Sequence, residues 1–113
     1  MSDRNLPIEI DCHTVKARLD AGDRLVLLDC RERNEYDFVR LESARLVPMS
    51  ELSQRVVELD ELRDAEMVVY CHHGVRSRQV ANWLRGQGFA HVQSLAGGID
   101  RWAQEIDGTL PRY

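Results

Sequence analysis

The stretch Val68-Val69-Tyr70-Cys71-His72-His73-Gly74-Val75-Arg76-Ser77 decides how this chain reads. An apolar run ends in a cysteine. A short loop follows, and Arg76-Ser77 open a segment with Val80, Ala81, Trp83 and Leu84 at helical spacing. A strand–loop–helix unit of this kind places a thiol at the carboxyl edge of a sheet. It also aims the free N–H groups and the positive end of the helix at that thiol. Such surroundings favour the thiolate, which is the reactive form of cysteine. The plainer alternative is one more buried apolar residue. Gly74, Arg76 and two histidines in the same loop turn the reading towards chemistry.

Working outward, strand and helix patterns alternate. Pro7-Ile8-Glu9-Ile10 reads as a short strand, and Asp11 or Thr14 can cap a helix through Val15 and Leu19 that stops at Gly22. Leu25-Val26-Leu27-Leu28-Asp29-Cys30 is a continuous apolar run, as expected of a strand covered on both faces. Arg33 to Val39 suits a short helix, and Ala44 to Val47 a weak strand ended by Pro48. Ser50 can cap a helix with Leu52, Val56 and Val57. Glu66 to Tyr70 is a strand, Arg76 to Gln87 a helix closed by Gly88, and Val92 to Leu95 a last strand. Gly97-Gly98 then leads into a helix with Ile99, Trp102 and Ile106, and both tryptophans read as core anchors. Alternation of this kind predicts an α/β fold of three layers, with about five mainly parallel strands between helices. Ligands in such sheets sit at the carboxyl ends of the strands. Asp29-Cys30-Arg31-Glu32 and the Cys71 loop both fall there.

Size and charge narrow the function. At 113 residues the chain fits one domain spanning 1–113, with 1–6 expected as a flexible terminus. With 43% hydrophobic residues it can bury a core without disulfides. Fifteen basic and nineteen acidic residues give a net charge of −4, which argues against a nucleic-acid partner. No apolar run approaches the roughly 20 residues of a membrane helix. The first residues lack the apolar core of a signal peptide, so a cytoplasmic location is expected. The cysteines are Cys12, Cys30 and Cys71, with no CxxC pair, which does not suggest a disulfide framework. No metal is expected, because adjacent His72 and His73 should point in different directions and no second cluster supplies ligands. No cofactor is called for.

The loop itself can turn several amides inward as an anion nest, with Gly74 allowing a positive φ or a close approach. Cys71 would be the covalent nucleophile, attacking either sulfur or the central atom of an oxyanion. Arg76 would orient an anion through paired N–H donors. Ser77 either donates to the sulfur or caps the helix. His72 and His73 add donors or are plain loop residues. Four residues separate Cys71 from Arg76, whereas cysteine phosphatases resemble Cys-x5-Arg, one residue longer. The shorter loop suits a single sulfur atom.

The chain thereby resembles the single-domain rhodaneses, the thiosulfate sulfurtransferase family, from about Pro7 to Tyr113. The resemblance rests on Leu27-Leu28-Asp29-Cys30-Arg31 followed by Glu35-Tyr36, on Val47 to Leu52, on the loop Cys71 to Ser77, and on Leu95-Ala96-Gly97-Gly98-Ile99-Asp100-Arg101-Trp102. The ending Leu110-Pro111-Arg112-Tyr113 resembles rhodanese domains attached to ubiquitin-activating-like adenylyltransferases. The resemblance implies that Cys71 carries a persulfide. It implies that the backbone of His72, His73, Gly74, Val75, Arg76 and Ser77 cradles the transferred sulfur. Asp29, Arg31 and Glu35 would then support the site, with Arg31 pairing with an acidic neighbour beneath the loop. The donor would be thiosulfate or a protein persulfide, such as that of a cysteine desulfurase, and the acceptor a thiol.

Two departures stand out. Where the family usually carries Gly-His-Ile-Pro-Gly-Ala, this chain has Val39-Arg40-Leu41-Glu42-Ser43-Ala44, which changes the turn into the third strand and bears on substrate preference. Cys30 stands where valine is common; it is either a core residue at a strand end or a second thiol able to resolve a persulfide. Cys12 is expected to be structural or exposed. The rival functions are a sulfur carrier with only protein donors and acceptors, a cysteine-dependent phosphatase or arsenate reductase, and a non-catalytic binding module.

Overall fold

The computed structural model describes residues 6–113. Apart from Leu6, the expected flexible terminus lies outside the described residues. Strand β1 (Glu9–Ile10) leads into helix α1 (Cys12–Asp20), whose N-cap Asp11 accepts from the His13 amide at 2.7 Å. Next come β2 (Val26–Asp29), α2 (Arg33–Phe38), β3 (Arg45–Leu46) and α3 (Leu52–Arg55). Then follow β4 (Glu66–Tyr70), α4 (Val75–Gly86), β5 (His91–Leu95) and α5 (Gly98–Glu105). The strands form one sheet in the order β1-β5-β4-β2-β3, and every pairing is parallel.

The sheet is covered on both faces, as the unbroken apolar run at Leu25–Cys30 predicts. Side chains alternate along each strand. Leu28, Met67, Val69 and Cys71 pack with Leu52, Leu59, Val80, Ala81 and Leu84 on the face that carries α3 and α4. Leu27, Val68, Tyr70 and Leu95 pack with Cys12, Val15, Ile99 and Trp102 on the face of α1 and α5. Cys12 is therefore core, 1% exposed. The three layers are helix, sheet, helix.

The segment after Pro48 differs from the single Ser50-capped helix expected. Met49–Glu51 and Val56–Leu62 are 3-10 turns flanking the short α3. The Ser50 hydroxyl donates to the Glu32 carboxylate at 3.0 Å instead of capping a helix. Leu52 and Leu59 are buried, but Val57 is 65% exposed. Few apolar anchors and two adjacent β-branched valines give a continuous α-helix little support.

Candidate active site

Cys71 follows directly on β4, and Gly74 is the N-cap of α4 at φ +104°. The expected helix start therefore shifts: Gly74 replaces Ser77 as the cap, and Ser77 lies inside the first turn. A side chain at Gly74 would strain the left-handed backbone and crowd the Gly97 amide at 3.3 Å. The loop is held from its far side by α5. The Ile99 amide donates to the Cys71 carbonyl at 2.9 Å, and the Asp100 amide to the His72 carbonyl at 3.1 Å. In a trans peptide the N–H points opposite to the C=O. Anchoring these carbonyls outward therefore turns the amides of His72 and His73 the other way.

The Cys71 sulfur sits inside this cradle, 1% exposed. The Gly74 amide lies 3.1 Å from Sγ and the Ser77 amide 3.3 Å from it. The Ser77 hydroxyl stands 3.5 Å away and is paired with the Ser94 hydroxyl of β5 at 2.7 Å. From the sheet side, the Cys30 thiol donates to the Tyr70 carbonyl at 3.4 Å and packs in the same core cluster as Cys71. The Cys71 pKa is held well below that of a free thiol. The Cys30 thiol contributes most, followed by the Ser77 hydroxyl and the amides of Ser77 and Gly74, against the opposing effect of burial. Cys30 is pushed the other way, by the same contact and by burial.

The first motif meets the loop at Glu35. Arg76 donates both arms of its guanidinium to Glu35, at 2.8 and 3.0 Å, so its fork faces this carboxylate. Glu35 also accepts the Glu32 amide at 3.1 Å and the Tyr113 hydroxyl at 2.7 Å. Its pKa falls to about 2, chiefly through Arg76. Asp29 and Arg31 form a fully buried pair at 2.7 Å. Arg31 also donates to the Val39 carbonyl and to the Tyr113 hydroxyl. Every guanidinium nitrogen of Arg31 has a partner, and such added hydrogen bonds are the condition under which a buried ion pair is tolerated.

Two residues of this site carry no role in the sequence reading. Ser94 is hidden inside a strand pattern. Tyr113 belongs to an ending noticed only as a resemblance, yet its ring stacks on His72 with centroids 3.9 Å apart and planes at 8°. His72 and His73 do not diverge as expected: their rings stack at 3.9 Å. With Asp100 they bring three ligand atoms within 4.8 Å of one another, as do Cys12, His13 and Glu105. Both carboxylates already hold partners, Arg112 on Asp100 and His13 on Glu105, each at 2.8 Å. The Val39–Ala44 departure forms a tight turn in which Ser43 takes the positive φ of 68° and the Leu41 amide donates to the Tyr70 hydroxyl.

This arrangement defines the class of parallel α/β proteins that present a cysteine, ringed by backbone amides, in a loop at the carboxyl edge of the sheet. Within that class, the chain belongs to the rhodanese-like family, whose domain model matches residues 11–105. The adenylyltransferase and sulfurtransferase MOCS3-2 of Zea mays is 29% identical over 109 residues, covering 92% of this chain and 23% of the maize protein. The putative sulfur carrier protein YrkF of Bacillus subtilis is 32% identical over 99 residues, covering 88% of this chain and 52% of its own. A rhodanese-related protein of Thermoplasma volcanium superimposes with a TM-score of 0.78 at 28% identity, covering 88% of this chain and 94% of that one. The chain thus spans about half or less of these two curated relatives.

Proposed function

We propose that this chain is a sulfurtransferase that works through a persulfide on Cys71. The observation that carries the reading is the closure of the loop on Sγ, with amides at 3.1 and 3.3 Å and a third donor from Ser77. The Cys71 thiolate attacks the outer sulfur of thiosulfate or of a protein persulfide. A bond forms between the two sulfurs, the donor's own S–S bond breaks, and sulfite or the donor thiolate leaves with the electron pair. An acceptor thiolate then attacks the outer sulfur, and Cys71 departs as a thiolate that the amides stabilise again. Amides packed this closely suit one added sulfur better than a tetrahedral oxyanion, which weighs against a phosphatase or arsenate reductase.

The second reading is a sulfur carrier that exchanges only with proteins. It is favoured by the low exposure of Cys71 and by the likeness to a relative described as a putative sulfur carrier. In either reading Asp29, Arg31 and Glu35 position the loop and are not reactants. Three free cysteines suit a reducing compartment, consistent with the cytoplasm. Among the described residues, no helix is long and apolar enough to cross a membrane.

Intact mass after incubation with thiosulfate tests the reading. Wild type is expected to gain one sulfur atom and Cys71→Ser none. A gain only with a cysteine desulfurase as donor selects the carrier. Equal sulfur uptake by Cys71→Ser would overturn both readings.

A further inference from the structure

The second cysteine of the site favours the Cys71 thiolate but neither receives nor releases sulfur in the transfer just described. Cys30 and Cys71 are successors of the register pair Asp29–Tyr70 on adjacent parallel strands, and the Cys30 amide still donates to the Tyr70 carbonyl at 3.1 Å. Both side chains point to the same face and belong to the same core cluster. Register neighbours stand about 4.8 Å apart, within the roughly 4.4–6.8 Å that a disulfide spans between Cα atoms. Cys30 is 0% exposed and lies on the sheet side of the loop, within the same core cluster as Cys71. The reaction partner the fold offers it is Cys71. The loop amides of Gly74 and Ser77 approach the Cys71 sulfur, and Cys30 lies on the sheet side of the loop.

We infer that Cys30 is a resolving thiol that discharges the Cys71 persulfide when no acceptor arrives, releasing hydrosulfide and closing a Cys30–Cys71 disulfide. This step rests on the sulfur-transfer reading. The Cys30 sulfur attacks the Cys71 sulfur, and the bond from Cys71 to the outer sulfur breaks. The Cys30 proton goes to the departing sulfur, which leaves as hydrosulfide. Two cysteine sulfurs are oxidised to a disulfide and the outer sulfur is reduced to sulfide, so the electrons balance without an external oxidant. The closed form cannot load again until a dithiol reductant opens it. Cys12 lies on the opposite face of the sheet and takes no part.

The experiment loads wild type and Cys30→Val with thiosulfate or inorganic polysulfide, removes excess donor, and follows intact mass and free sulfide without added thiol. Wild type is expected to lose the sulfur at a rate independent of protein concentration. It should release one sulfide per loaded chain, and non-reducing peptide maps should show Cys30 joined to Cys71. Cys30→Val should hold its sulfur about tenfold longer or more. Equal lifetimes, or a wild-type peptide map that never shows the Cys30–Cys71 bond, would overturn the role of Cys30 alone. Absence of any sulfur on Cys71 in both proteins would instead overturn the sulfur-transfer reading, and this inference with it.

Discussion

Thiolate stability at Cys71 is set by donors that can be removed one at a time. Ser77→Ala deletes a hydroxyl 3.5 Å from the sulfur and leaves the Ser94 hydroxyl without its partner. Loss of a donor to the charged form raises the pKa. The acid limb of Cys71 alkylation by a small reagent, which follows a pKa of about 4, should therefore move to higher pH, and the rate on that limb should fall several-fold while the plateau near neutrality holds. Glu35 supplies a second pH signature. Its folded pKa of about 2 lies below the ordinary 4.5, so the stability it confers is complete above about 4.5 and is lost as pH falls towards 2. Because the Arg76 contact lies at the rim, the effect is on the order of 1–2 kcal/mol. Urea midpoints across that window should fall less steeply in Glu35→Gln than in wild type.

At the scale of elements, the loop is shaped as much by α5 as by its own residues. A Cβ at Gly98 would lie 2.4 Å from the His72 carbonyl oxygen and 2.5 Å from that of Cys71, at φ +63°. Gly98→Ala should cost about 2–4 kcal/mol in chemical denaturation, as backbone strain and overpacking add. Gly22→Ala, also at positive φ but with no atom within 4 Å, should cost about 1–2 kcal/mol. The gap between them measures the helix-to-loop contact. This contact was half legible in the sequence. Gly97-Gly98 announces a helix start, but nothing local says that its amides will hold carbonyls more than twenty residues earlier. The β2 and β4 runs, the α4 helix and the nucleophile candidate were all readable, because continuous apolar stretches and a Gly-containing loop are local signals. Segment 49–62 was misread for the converse reason: its valines look helical by spacing, and only packing shows that Val57 faces solvent.

Across the whole molecule, residues far apart in the chain converge on one network that no periodicity encodes. Tyr113 joins Arg31 and Glu35, and through Glu35 it reaches Arg76. Tyr113→Phe should leave one Arg31 donor unpaired and lower stability by about 1–2 kcal/mol in a thermal melt. The stack on His72 should survive. Ser94 and Tyr113 escaped the sequence reading because each acts only through a partner brought in by the tertiary fold, whereas Asp29, Arg31 and Glu35 were visible through their shared motif. One further property follows from the depth of Cys71, which is 1% exposed. A sulfur this deeply enclosed is expected to meet one reactant at a time. Under the proposed transfer, whatever delivers sulfur should depart before whatever takes it enters, the protein should alternate between a charged and an empty form, and double-reciprocal plots for donor and acceptor should run parallel.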